Sequence, residues 1–243
     1  MNELAIKLEN EAFPKETRNS WETSELVKAI HRSQHTQRNY DLSKKIPIEH
    51  VKAIITAATQ CPSKQNVAFY DVFVITNRDV INSIYETTTS IHDESGTYKG
   101  LSNPQVLANM LLVFTDKADG IAKNGSHFEN TQASKGNNVE EFERITLQDK
   151  FTAIGIGSGY VNLTASLLGY ETGCCSCVMN YEKVKELLGI EVMPQLMMGV
   201  GFKQEGVNRR EHPLKDSQVA KEQGWSETFP TKKKEQIGIY YIK

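Results

Sequence analysis

The sequence predicts a globular domain that mixes helices with a few short strands. Two alternating patterns carry that prediction. Apolar residues at helical spacing, as in Ile48, Val51, Ile54, Ile55 and Ala58, give core-facing stripes, and between them stand short β-branched and aromatic runs such as YDVFVIT and LANMLLVFT. The 243 residues allow one large domain or two small ones, and no composition shift marks a boundary.

Residues 1–22, with Pro14 and scattered charges, lack periodicity and read as an N-terminal arm preceding a domain over 23–243. A helix follows from Thr23 to about Ser33, with Leu26, Val27, Ala29 and Ile30 on one side and Thr23 or Ser24 as cap. The next segment, QHTQRNYD (Gln34 to Asp41), is dense in hydrogen-bonding groups; it is either a solvated connector or an anion site built on Arg38. Pro47 opens the second helix, which ends before Pro62.

The loop CPSKQNVAFY (Cys61 to Tyr70) lines up hydroxyl, ammonium and amide groups between two apolar elements, a placement suited to holding a ligand. Tyr70 to Thr76 reads as a strand, Asn77 as the cap of a third helix, and Leu107 to Thr115 as a second strand. Residues 116–138 lack periodicity and read as a lid-like insertion. A long helix is expected from about Val139 to Leu168, buried through Leu147, Phe151, Ile154, Val161, Ala165 and Leu168. Its Gly155, Gly157 and Gly159 suggest close approach by another backbone. Gly169 caps it, YETGCCSCV connects to a helix between Asn180 and Gly189, and Gln195 to Phe202 is a third strand. NRREHP sets Arg209 and Arg210 just past that strand, and Ile237 to Ile242 reads as a terminal strand in need of a sheet edge.

Composition narrows the partners. Lys and Arg number 28 against 30 Asp and Glu, a formal net charge of -2, which gives no overall pull toward nucleic acid or membrane. A mean hydropathy of -0.46, no long apolar run and no apolar signal core at the N-terminus point to a cytoplasmic protein whose partners are small molecules or other proteins. Cys174, Cys175 and Cys177 lack the two separated knuckles of a zinc site, so the cysteines read as packing residues and no metal is assigned.

Four segments in order resemble the nitroreductase family of FMN-dependent oxidoreductases, over about Ala29 to Pro213. QHTQRNYD is similar to the family's RRSxRxF-like phosphate segment, placing Gln34 and His35 at the paired basic positions, Thr36 at the serine and Arg38 at the second basic one; Gln34 is a departure. CPSKQNVAFY resembles the PSSxNxQPW-like flavin loop at Pro62, Ser63 and Asn66, with Lys64 replacing the second serine. Ser176, Cys177 and Val178 match positions along the flavin ring, and Arg209 or Arg210 matches the closing phosphate clamp.

The resemblance implies an α+β fold, a mixed β-sheet surrounded by helices, in an intertwined homodimer with FMN between subunits. It implies a ping-pong oxidoreductase that takes hydride from NADH or NADPH and reduces an acceptor such as a nitroaromatic or quinone, with the chemistry on the flavin and no catalytic side chain. Lys64 would then add positive charge beside the flavin or point to solvent. Other readings are a reductive dehalogenase, an oxygen-dependent flavin-fragmenting enzyme, a non-catalytic flavin-binding redox sensor, and a zinc-stabilised interaction protein.

Overall fold

The computed structural model describes residues 24–88, 103–121, 139–176, 180–211, 213, 218–222 and 237–240. Helix α1 (Glu25–Ser33) starts at Ser24, whose hydroxyl accepts from the Val27 amide at 3.2 Å. Helix α2 (Ile48–Thr59) leads through a 3₁₀ turn (Lys64–Asn66) into β1 (Tyr70–Ile75). Asn77 caps α3 (Arg78–Glu86) by accepting from two amides, and a second 3₁₀ turn (Pro104–Val106) precedes β2 (Met110–Asp116). Then come α4 (Val139–Leu167), β3 (Glu171–Cys175), α5 (Tyr181–Leu188), β4 (Pro194–Gly201) and a short α6 (Gln218–Glu222).

The strands form one sheet in the order β1-β2-β4-β3, every ladder antiparallel. The α+β class holds. The parallel pairing that a mixed sheet requires does not occur among the described residues, because each described neighbour runs opposite to the next.

Central β2 explains the three-layer arrangement. Its side chains alternate between faces, and both faces are apolar. Met110, Leu112 and Phe114 pack with α2 and α4 through Val51, Ile54, Ala58, Ile154 and Val161. Leu111 and Val113 pack on the other side with α3 and α5 through Ile81, Ile84 and Val184. Helices therefore cover both sheet faces.

Four expectations are corrected. Residues 171–175 form a strand where a connector was expected; ETGCC has only one β-branched residue, and its stability comes from β4 pairing and burial. Helix α4 is buried along only part of the expected stripe, for Leu147 and Phe151 are half-exposed while Ile154, Val161 and Ala165 are inside. Of its glycines, Gly157 alone meets a neighbour, and that neighbour is a side chain: a Cβ there would lie 2.2 Å from the Tyr70 hydroxyl, whereas Gly155 and Gly159 have nothing within 4 Å. Asp116, the first residue of the expected insertion, ends β2; residues 122–138 lie outside the described ones. The arm at 1–22 is likewise outside, and Ile237–Tyr240, exposed, pair with no described strand.

Candidate functional site

The candidate site residues fall into three groups, and sheet topology sets how far apart they are. The first gathers the segment after α1 and the segment after β4. Residues 37–41 run against β3 and the segment after β4: the Gln37 amide donates to the Thr172 carbonyl at 2.8 Å, the Asp41 amide to the Phe202 carbonyl at 2.9 Å, and Tyr40 bridges to Lys203. The Tyr40 ring lies on the sheet over Gly173, Gly199 and Gly201, where any Cβ would come within about 3 Å of its atoms. Small residues are needed there so that an aromatic anchor can seat the segment.

That seating brings Arg38, Arg209 and Arg210 together, but their guanidinium groups have different duties. Arg209 donates to the Arg32 carbonyl at 2.7 Å and to the His35 carbonyl, and its ion pair with Glu171 measures 2.7 Å. It is a strut between α1, β3 and its own loop. Arg38 donates from its amide to the Arg209 carbonyl at 2.8 Å and from its guanidinium to the Arg210 carbonyl at 3.0 Å. Burial first, and the neighbouring Arg210 charge second, hold Arg38 below the usual arginine value. Two like charges brought together and partly desolvated favour an anion. Gln34 is exposed at the end of α1, while His35 and Thr36 are half-buried beside this cluster. Below it, Gln37 and Gln105 are buried, each with its amide oxygen unpartnered among the described residues.

The second group is the loop before β1. Pro62, Ser63 and Asn66, with Cys61, Tyr70 and Tyr160, line an open cleft of about 1030 Å³. Gln65 and Asn66 have φ of 53° and 58°, left-handed values that cost roughly 1 kcal/mol or more for a residue with a Cβ. Lys64 neither faces the cleft nor stands free in solvent; its ammonium lies 2.7 Å from Asp149 on α4. The Tyr70 hydroxyl donates to the Ala58 carbonyl at 2.7 Å and sits 3.1 Å from the Cys61 sulfur; burial, with Cys61 adding to it, pushes its pKa up.

The third group starts at Ser176, exposed at the end of β3; Cys177 and Val178 lie outside the described residues. Cys174 and Cys175, adjacent in a strand, point to opposite faces, Cys175 into the core with Met197, so the pair cannot grip one ion. Among the described residues no three His, Cys, Asp or Glu side chains converge, and no helix is long and apolar enough to cross a membrane.

The first two groups occupy diagonal corners of the sheet. The loop at 62–66 enters β1, whose first residue pairs with the last of β2, three residues beyond the level at which β3 ends. The arginine cluster flanks the start of β3, at the far edge and the opposite end. Three strand spacings across and seven residues along separate the two, about 14 Å by about 23 Å, and helices cover the faces between. Sequence reasoning missed Asp149, Glu171 and Gln105, the residues that hold the groups in place. Glu171 left one signal, a lone acid in an otherwise small and apolar strand.

Comparison with known proteins gives the context. The model of the nitroreductase family matches residues 32–202. No curated protein sequence matches the chain. Among solved structures, a Bacillus subtilis nitroreductase superposes with a TM-score of 0.56 at 12% identity, covering 79% of this chain and 72% of that one. A protein of Exiguobacterium sibiricum assigned as a nitroreductase, solved in complex with FMN, gives 0.55 at 18% identity over 80% and 96% of the two chains. A nitroreductase family protein from Clostridium novyi gives 0.52 at 16% identity over 75% and 87%. At these identities the structures speak for the fold, and the family model covers more than half of the sequence: the chain belongs to the nitroreductase family.

Proposed function

We propose that this protein is an FMN-dependent oxidoreductase that takes hydride from NADH or NADPH and passes it to a small oxidised acceptor, such as a nitroaromatic or quinone, in two separate half-reactions. The observation that carries the proposal is the seating of Arg38 against the 209–210 segment, its guanidinium donating to the Arg210 carbonyl and feeling the Arg210 charge, with the hydroxyl of Thr36 and the ring of His35 close in sequence. Guanidinium groups suit a terminal phosphate because they can offer it forked, charge-assisted hydrogen bonds. Arg209, already committed to three partners, keeps the segment in place.

The neutral part of the cofactor needs an amide and hydroxyl wall, which Ser63 and Asn66 supply at the cleft, with Ser176, Cys177 and Val178 proposed along the ring. No ligand reaches both the arginine cluster and the cleft of one chain, since they stand at diagonal corners with the sheet and its helices between them. The site is therefore proposed to form between two copies of this chain. The half-exposed Leu147 and Phe151 and the open Gly155 and Gly159 give α4 an apolar face for such a partner.

FMN, when bound, supplies hydride acceptance and donation. The protein's part is to orient and to exclude water: the arginines hold the phosphate, Asn66 and Ser63 fix the polar chain, and the apolar cleft walls shield the reacting face. No side-chain acid or base is assigned.

Titration of the purified protein with FMN, followed by flavin fluorescence and by anaerobic addition of each nicotinamide, tests this reading. Saturable quenching, weakened in Arg210→Gln and in Asn66→Ala, and loss of the flavin bands on adding NADH or NADPH are expected. Absence of FMN binding sinks the cofactor assignment. Binding without bleaching by either nicotinamide removes the enzymatic one.

A further inference from the structure

Helix α4 receives the whole stretch from Lys64 to Tyr70 along one stripe. Asp149, Ala153 and Gly157 follow one another at intervals of four and share a helix face. Lys64 meets Asp149 at 2.7 Å, Val67 and Phe69 bury against Ala153, and the Tyr70 hydroxyl occupies the space over Gly157. Between the first and second of these anchors lie Gln65 and Asn66, both left-handed.

The segment does little to hold that conformation itself. Its backbone bonds are the Asn66 amide to the Ser63 carbonyl at 3.3 Å and the Val67 amide to the Lys64 carbonyl at 3.1 Å, and Ser63 makes no side-chain cap. On the far side Val67 and Phe69 are almost fully buried, so that end is fixed. On the near side Pro62 is exposed, and the contact that reaches across to α4 is the Lys64 ammonium on the Asp149 carboxylate. Asp149 is the less exposed partner, 16% against 39% for the Lys64 side chain, which favours a persistent pair over a fluctuating surface one.

We propose that Lys64 and Asp149 form a latch that keeps Gln65 and Asn66 left-handed and thereby sets where the Asn66 amide enters the cleft. Both are positioning residues for cofactor binding. The charge on Lys64 is spent on Asp149 and is not offered to the flavin. The role in cofactor binding rests on the flavin reading above; the mechanical role of the latch does not.

Two measurements on Asp149→Asn, Lys64→Met and the exchanged pair Lys64→Glu with Asp149→Lys separate these. Amide hydrogen exchange over residues 63–67 of the flavin-free protein reads the latch, and quenching of FMN fluorescence reads its consequence. Each single variant is expected to speed exchange in that segment by about fivefold, with β2 unchanged, and to weaken FMN binding by a similar factor. The exchanged pair should recover part of both. Unchanged exchange in both single variants overturns the latch, whatever FMN does. Faster exchange with unaltered FMN affinity overturns the positioning role. A wild-type protein that binds no FMN, with faster exchange in the variants, overturns the flavin reading and leaves the latch standing.

Discussion

Gly157→Ala offers the most direct test of how α4 holds the cleft. By propensity alone the change stabilises, because alanine in a helix interior is worth about 1 kcal/mol over glycine. Geometry opposes it: the new Cβ would stand 2.2 Å from the Tyr70 hydroxyl and 3.0 Å from the ring carbon that bears it. Tyr70 must move, and it is held by its hydrogen bond to the Ala58 carbonyl at 2.7 Å and by an edge contact with Phe114 at 5.4 Å between centroids. Losing the hydrogen bond costs about 1 kcal/mol, and overpacking a fitted site adds about 1–3 kcal/mol. The net expectation is a loss of about 1–3 kcal/mol, measured by urea unfolding at fixed protein concentration. Tyr70→Phe removes the clashing oxygen, so the double variant should be less destabilised than the sum of the singles by about 1 kcal/mol. A Gly157→Ala protein as stable as wild type, or strict additivity in the cycle, refutes the contact.

Three further outcomes are expected. Arg209→Gln strands Glu171, whose side chain is only 11% exposed, and should cost about 3 kcal/mol in denaturant unfolding, whereas Arg210→Gln is expected to weaken FMN binding on the proposed function. Burial holds the Glu171 carboxyl above its usual range despite Arg209, Arg32 and Lys203 nearby; the folded state binds this proton more tightly than the unfolded chain. Its contribution is therefore full below 4.5 and lost as pH rises through the folded value, a decline in unfolding free energy that Glu171→Gln should flatten. Gln65→Gly relieves a left-handed side chain and should raise stability by up to about 1 kcal/mol in thermal or urea unfolding; a clear loss would show that the Gln65 side chain is itself an anchor.

Local rules were enough to read most elements of this fold. Asn77, Asn180, Gly169 and Gly189 stop or start helices through their own backbone and side-chain preferences, and β2 announces its double-sided burial as an unbroken apolar run. Strand β3 could not be read that way. Glu171, Gly173 and the cysteines have weak strand preference, and the strand exists because β4 pairs with it and Tyr40 needs Gly173 beneath its ring. The same limit applied to the site. Residues that carry polar groups in a short segment, Arg38, Ser63 and Asn66, stand out from the sequence, but the division of labour between Arg209 and Arg210 depends on carbonyls from α1 and an acid from β3, more than thirty residues away. Asp149, the partner of Lys64, lies 85 residues along the chain, and no spacing rule joins them.

On the two-chain site proposed above, the diagonal placement of its walls has a genetic consequence. A chain carrying Arg210→Gln and a chain carrying Asn66→Ala would each, alone, spoil every site in a two-chain assembly. Produced in the same cell, they would form mixed pairs in which one site collects both lesions and the other collects none. Random association makes about half of the pairs mixed, so about a quarter of all sites would be whole. Two defective genes would thus complement each other, and recovery of about a quarter of the wild-type flavin reduction from that mixture, against little from either protein alone, would be the signature of a site that no single chain owns.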